Sequence, residues 1–407
     1  MNRADCLERD RDDPLRAVRD RFRIPENLIY LDGNSLGPMP AAAPELLARA
    51  VEGEWGEGLI GSWNKAGWID LPARLGAKVA RLIGAAPDQV IVADSTSVDL
   101  FKLLAGALSL RPRRRTILTE GRNFPTDLYI AEGLARLVPG VVVRTVEDPL
   151  AALDADTAIL TLTHVDYRSG RRHDMAAATE AAHRAGALVL WDLSHSTGAM
   201  DLELDRLDVD LAVGCGYKFL NGGPGAPAYV YVARRHHAAI AQPIAGWMGH
   251  ARPFDFDPQY RPAPGIARQL SGTPPILSMR GLEAGLATFD GVDPAALRAK
   301  SEALVALFLA LTERRLAGHG FEPVTPRDPN ARGSQASFRH REAYAVMQAL
   351  IARKVVGDFR PPDIVRFGLP PLYLRFVDVW DAVERWGEVM AGREWDRPEF
   401  KIKQPVT

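Results

Sequence analysis

Lys218 stands alone among apolar and glycine residues in the string GCGYKFLNGGPG, which begins at Gly214, and Asp192 closes the apolar run Ala187-Leu188-Val189-Leu190-Trp191. A lysine drawn out of water loses proton affinity and can form a Schiff base, as lysines do with pyridoxal phosphate (PLP). A carboxylate in reach would pair with the pyridinium nitrogen and keep it protonated, which makes the ring an electron sink. The run before Asp192, and Leu211-Ala212-Val213 before the lysine turn, read as strands buried on both faces. In an open α/β sheet ligands bind beyond the carboxyl ends of the strands, so Asp192 and Lys218 are expected in one crevice. The neighbouring glycines let the backbone approach a planar ring.

Other strand ends supply further candidates. Gln89 to Ala93 reads as a strand that runs through Asp94-Ser95-Thr96-Ser97 into a helix from about Val98 to Leu108. Thr96 and Ser97 at that helix N-terminus suit a phosphate, although hydroxyl residues there also serve as ordinary caps. After the strand Thr116-Ile117-Leu118 comes Asn123-Phe124-Pro125-Thr126-Asp127, where Phe124 could lie flat on a pyridine ring or fill the core. A strand at Thr157 to Thr163 leads to His164, expected to hydrogen-bond rather than to hold a metal. A helix from Met175 to Ala185 then returns the chain to the Asp192 strand as a βαβ crossover. Arg366 precedes FGLPPLY, and its planar fork fits a substrate carboxylate bidentately; Arg375 competes for that role.

The string around Lys218 resembles the cofactor-lysine segment of kynureninases, members of the fold-type-I PLP enzymes. LDGNSLGPMP, NFPTD, LTHVDYRSG, QPIAGWMGH, LSGTPPILS and VRFGLPPLYLRFVDVWDA resemble the family's other motifs, in the same order from about residue 28 to the end. The resemblance implies an aspartate-aminotransferase-like fold: a large domain with a mostly parallel seven-stranded sheet flanked by helices, and a smaller C-terminal α/β domain. It implies hydrolysis of L-kynurenine to anthranilate and L-alanine in tryptophan catabolism, with 3-hydroxykynurenine as a further substrate. By the same resemblance Lys218 holds PLP and acts as the base, Tyr217 is a proton donor against the phosphate, and Asp127 faces the reacting side of the ring. Thr96, Ser97, Phe124, Asp192 and His195 surround the cofactor, Arg366 takes the substrate carboxylate, and Trp63 and Asn34 line the substrate space. Trp247 and Thr273 would bind the phosphate of a partner subunit, so two sites require a homodimer. Met248 stands where the family often has Trp. Two rivals stay open: an aminotransferase or related enzyme of this fold, and a PLP-binding protein without catalysis; a cysteine desulfurase does not fit, because Cys6 is terminal and Cys215 adjoins the lysine rather than standing on a mobile loop.

Three divisions are expected: an N-terminal segment over 1–50, a PLP-binding domain over 51–285 and a small domain over 286–407. The small domain should carry strands Ala336-Ser337-Phe338 and Val365-Arg366-Phe367, helices over Glu342–Lys354 and Val377–Met390, and a long helical stretch from Pro275 to Leu316 leading into it. Residues 40–84 read as helix broken by the loop Gly56–Gly67. The N-terminus reads as an amphipathic helix with Leu15, Val18 and Phe22 on one stripe.

At 407 residues, 47% hydrophobic and 25% charged, the chain has the composition of a soluble globular protein. A net charge of −1 gives no pull toward nucleic acid or an anionic membrane. The cluster Arg111-Pro112-Arg113-Arg114-Arg115 lacks interleaved aromatics and reads as a solvated turn. Cys6 and Cys215 cannot build a disulfide framework or a four-ligand zinc site, which fits a reduced, cytoplasmic protein. Gly214-Cys215-Gly216 fails as a dinucleotide motif, because Phe219 occupies the third glycine position. No apolar run is long enough to span a bilayer.

Overall fold

The computed structural model describes residues 1–404. Seven strands form the central sheet: β1 (Val90–Ala93), β2 (Thr116–Glu120), β3 (Val142–Val146), β4 (Thr157–Thr163), β5 (Leu188–Asp192), β6 (Leu211–Cys215) and β7 (Ala228–Val232). Their spatial order is β1-β7-β6-β5-β4-β2-β3, parallel except that β7 runs against both neighbours. All but β3 are buried along their length, which explains their continuous apolar runs. Helices cover both faces. These include α3 (Leu71–Leu82), α4 (Thr96–Leu110), α5 (Pro125–Leu137) and α6 (Met175–Arg184), preceded in the chain by α1 (Arg3–Asp12) and α2 (Ala43–Arg49). Gly76 lets α3 close on β1: a Cβ there would stand 2.3 Å from the Val90 carbonyl oxygen.

After the sheet come α7 (Ile276–Ala287) and α8 (Pro294–Arg315), then a small antiparallel sheet. Its strands β8 (Glu322–Pro323), β9 (Gln335–Arg339), β10 (Asp358–Arg360) and β11 (Ile364–Gly368) lie in the order β8-β9-β11-β10. Helices α9 (Ala343–Ala352) and α10 (Phe376–Ala391) pack on it. Trp386 of α10 is 1% exposed, with the rings of Phe338 and Phe367 at 5.5 and 5.0 Å. The N-terminal segment joins this part, because Ile29–Tyr30 pairs in parallel with Val355–Val356 and α1 lies on α10.

Four expectations need correction. The N-terminal helix ends at Asp12, so Leu15, Val18 and Phe22 are buried from a cap, a 3-10 turn and an extended residue rather than one helical stripe. The Gly56–Gly67 loop is largely helical: α2 runs on as π-helix over Ala50–Glu57, and short turns cover Leu59–Gly61 and Ser62–Lys65. The stretch from Pro275 to Leu316 breaks at Gly291 (φ 73°), where Asp293 and Pro294 start a new helix. The arginine cluster is not all solvated: Arg114 donates to the carbonyls of Thr157 and Ala185 at 2.8 Å, and Arg111 to that of Gly186 at 3.0 Å. Two arginines thus satisfy orphan carbonyls at the C-terminus of α6.

Candidate active site

Asp192 ends β5 opposite Thr163 of β4 and Val213 of β6, so strand register alone sets it at the carboxyl edge of the sheet. It is 4% exposed and accepts the Ser194 N–H at 2.8 Å. Burial raises its carboxyl and the Lys218 ammonium opposes that, so the two groups face each other across one crevice. Lys218 Nζ lies 3.0 Å from His195 Nε2 and 5.8 Å from the ring centres of both Phe124 and Tyr217. Burial, with Lys218 as the nearest cation, holds His195 well below its usual range, so the ring is neutral.

Phe124 precedes α5, keeps 37% of its surface exposed and meets Tyr167 edge to face at 5.1 Å. One turn on, Asp127 is 3% exposed and takes a hydrogen bond from Thr163 Oγ1 at 3.2 Å. Burial and the neighbouring Asp192 raise its carboxyl well above the usual range. Two carboxylates, both raised by burial, therefore lie near the one ammonium of Lys218. Tyr217 is also raised, by the Cys215 thiol beside it and by burial. Thr96 and Ser97 open the first turn of α4 behind the N-cap Ser95, with the helix N–H groups directed outward. His164 bonds Ser196 Oγ at 2.8 Å, as expected of a supporting residue.

The loop Asp32–Pro38 is wedged between the lysine turn and the small sheet. Gly37 N–H donates to the Tyr217 carbonyl at 2.8 Å, and a Cβ on Gly37 would stand 2.5 Å from the Lys218 carbonyl oxygen. At the loop's other end a Cβ on Gly368 would meet Asn34 Oδ1 at 2.2 Å. Asn34 is fully buried, yet neither end of its amide has a hydrogen-bond partner. Buried polar groups are normally satisfied, so an orphaned amide marks a place where a ligand group fits.

Arg366, 1% exposed on β11, donates to the Tyr167 carbonyl at 2.6 Å and to Ser35 Oγ at 2.7 Å, and pairs with Asp358. Its Nε is buried without a partner, and so is Oδ1 of the nearby Asp32. Burial, with Asp358 adding to it, pushes Asp32 up to about 7. Arg375, the competing arginine, faces Asp378 at the start of α10 as part of a capping arrangement.

The structure does not bring every candidate to Lys218. Trp63 meets Trp68 and Trp247 edge to face at 6.1 and 6.2 Å, and Trp247 continues to Phe254 and Phe256. Among the described residues these rings make no ring contact with Phe124 or Tyr217. Thr273 is exposed in the segment before α7. Four residues escaped the sequence reading. Tyr167 and Ser35 lay inside noticed motifs, whereas Gln335 and Asp358 lie in strands with no local signal and are brought in only by pairing with β11. No group of His, Cys, Asp and Glu among the described residues could hold a metal ion, and no helix among them is long and apolar enough to cross a membrane.

Comparison with known proteins bears on the chain as a whole. Residues 297–386 match the family model "Kynureninase C-terminal domain". A kynureninase of Burkholderia mallei is 52% identical over 413 aligned positions, covering 100% of this chain and 99% of its own. A kynureninase of Pseudomonas fluorescens is 50% identical with the same coverage. Among solved structures, a mutant of C-DES with glycine covalently linked to its PLP cofactor superposes with a TM-score of 0.78 at 18% identity, covering 91% of this chain and 99% of that one. An apo cysteine desulfurase from Thermococcus onnurineus gives 0.76 at 17% identity, covering 92% and 98%. At those identities the structural likeness establishes the fold, which is that of these enzymes.

Proposed function

From a chain that belongs to the kynureninase family, we infer a PLP-dependent hydrolase that splits L-kynurenine and water into anthranilate and L-alanine. The observation that carries this reading is the Lys218–Asp192 crevice with Arg366 beyond it, Asp192 and Arg366 being 4% and 1% exposed. PLP fits the residues present. Lys218 supplies the amine for its aldehyde, Asp192 a carboxylate for its ring nitrogen, Phe124 an open aromatic face, and Thr96 and Ser97 a helix N-terminus for its phosphate. Bound there, the cofactor supplies an electron sink for charge developing at the substrate's α-carbon.

The protein's own groups then divide the work. Arg366 takes the substrate carboxylate through its fork, which fixes the bond at the α-carbon that is to break. With the cofactor bound, Lys218 Nζ would be the base for the substrate's α-proton, and the neutral His195 beside it leaves that amine free to accept. Water adds at the γ-carbonyl, the Cβ–Cγ bond breaks, anthranilate leaves while Cβ is protonated, and Lys218 would return a proton to the α-carbon to complete L-alanine. Tyr217, kept protonated by its surroundings, is the donor in these steps, and Asp127 orients it from the buried side. Asn34 reads the substrate at the mouth with its unpaired amide. 3-Hydroxykynurenine, which differs only on the aryl ring, belongs to the proposed substrate range.

We assign Trp247 and Thr273 to the phosphate site of a second copy, and Trp63 to the substrate's aryl end. Supporting this are the exposed apolar side chains of the same segments: Leu59 at 61%, Ile60 at 81% and Phe256 at 73%. A small C-terminal domain is supported by the separate small sheet, although residues 50 and 285 themselves fall within helical stretches, and a cytoplasmic setting is supported by two buried free cysteines.

The deciding experiment adds L-kynurenine to the PLP-loaded protein and to Lys218→Ala while anthranilate fluorescence and the visible cofactor band are followed. Equimolar anthranilate and alanine, both lost with the band in the variant, are expected. A band without anthranilate would move the function to transamination or to cofactor binding alone, and no band would overturn the reading.

A further inference from the structure

Lys102 is a fully buried cation that no step above uses. It stands on α4 beyond Thr96 and Ser97, and helical side chains lean toward the N-terminus of their helix, so its ammonium returns to the turn that starts α4. There it pairs with Asp94 and lies 3.8 Å from Asp99, and it donates to the carbonyl oxygen of Gln269 at 2.7 Å. Asp99 is wholly buried, and neither of its carboxyl oxygens has a hydrogen-bond partner. Burial raises that carboxyl well above the usual range, which leaves Asp94 as the carboxylate the ammonium serves.

Asp94 sits between the end of β1 and the N-cap Ser95, and its backbone is left-handed, with φ 38°. A side chain at such a φ is strained unless its surroundings hold it, and residues of this kind gather at functional turns. Here the turn does two things at once. The Asp94 carbonyl still accepts the Ala228 N–H of β7 at 3.0 Å, as a strand residue would, while the chain swings off into α4. Lys102 grips the side chain of that same residue. Three points therefore meet at one ammonium: the end of β1, the first turn of α4 and the 3-10 turn Gly265–Gln269 that leads toward Thr273.

We propose that Lys102 is a positioning residue for the phosphate site: by gripping Asp94 it keeps the left-handed turn that presents Thr96 and Ser97. The proposal rests on the assignment of those two residues to the cofactor phosphate. Without the grip, Asp94 relaxes toward an ordinary negative φ. Ser95 and the two residues after it then turn with it, because nothing but that one backbone angle sets the direction in which α4 leaves the sheet. The amine and the ring end of the cofactor site, on the β5 and β6 side of the crevice, are not attached to this turn.

The test strips the full chain of cofactor and titrates it with PLP and with pyridoxal, which lacks the phosphate, while the visible band is followed. In Lys102→Met and in Asp94→Ala the affinity for PLP falls about tenfold, the penalty of one unsupported left-handed residue, and that for pyridoxal holds. The phosphorus NMR signal of bound PLP moves toward that of the free cofactor in both. Asp94→Gly loses the same carboxylate but adopts the left-handed turn freely, so its PLP affinity stays within about threefold of wild type. This contrast leaves the buried lysine in place and decides the matter even if Lys102→Met does not fold. Equal PLP affinities in Asp94→Ala and Asp94→Gly, or PLP and pyridoxal weakened alike, would overturn the proposal. A Thr96→Val/Ser97→Ala double variant that binds PLP as wild type does would instead refute the phosphate assignment, whatever the Asp94 variants show.

Discussion

Gly37→Ala adds one methyl group, and its destination is known. The new carbon would stand 2.5 Å from both the Lys218 carbonyl oxygen and Asn221 Oδ1, and 2.7 Å from Asn221 Cα. Carbon–oxygen contacts normally settle at about 3.3–3.6 Å, so loop and lysine turn must part by roughly 1 Å. Neither side gives way easily, because Gly37 is bonded to the Tyr217 carbonyl at 2.8 Å and Asn221 N–H to that of Lys218 at 2.9 Å. Overpacking of this kind costs about 1–3 kcal/mol. A catalytic group misplaced by about 1 Å loses roughly 10²-fold in rate. We expect kcat/KM, read from anthranilate fluorescence, to fall about a hundredfold, with a lowered Tm and weaker PLP binding by absorbance titration. Gly133→Ala on α5 is the control. Nothing lies within 4 Å of a Cβ there, and alanine favours a helix interior by about 0.5–1 kcal/mol, so activity stays and Tm holds or rises. A Gly37→Ala enzyme with wild-type kcat/KM and Tm would refute the wedge described for this loop.

The two arginines should separate cleanly. Arg366→Lys raises KM for kynurenine by about 10- to 100-fold through loss of the fork, whereas Arg375→Ala leaves KM unchanged and lowers stability by about 0.5–2 kcal/mol through the cap of α10. The opposite pattern would exchange their roles. Asp32 bears on pH: with a folded-state value of about 7 against 3.8 for the free side chain, the folded chain keeps a proton that the unfolded chain has released. Its contribution to stability is full below about pH 4 and lost as the pH rises through 7. Urea unfolding of Asp32→Asn should therefore show a gain over wild type that grows between pH 4 and 7 and then levels; an equal gain at pH 5 and pH 8 would contradict this.

The sheet was legible because strands buried on both faces print as unbroken apolar runs, and their ends locate Asp192, Asp127, Thr96 and Lys218 with no tertiary information. Arg366 was noticed from its type and setting, whereas the ion pairs that Arg366 and Arg375 make with Asp358 and Asp378 emerge only in the fold. What the sequence hid was of two kinds. Helix boundaries near Asp12 and Gly291 turned on local caps that compete with periodicity. Asp358 and Gln335 reach β11 only because neighbouring strands carry them there, and strand order is a long-range property that no local pattern encodes. Trp63 and Trp247 reach each other only through folding.

The attachment of the N-terminal loop to the small sheet also dictates when the protein can work during its own synthesis. Ser35 and Arg366, which share a hydrogen bond, are 331 positions apart. At about 5–20 residues per second a ribosome leaves the first forty residues waiting roughly 15–70 s before their partners emerge. A nascent chain can hold Lys218 and Asp192 long before it owns Arg366 or the strand that pairs with Ile29–Tyr30. A fragment cut short before β11 lacks Arg366 and the strand that carries it, however well its large sheet folds.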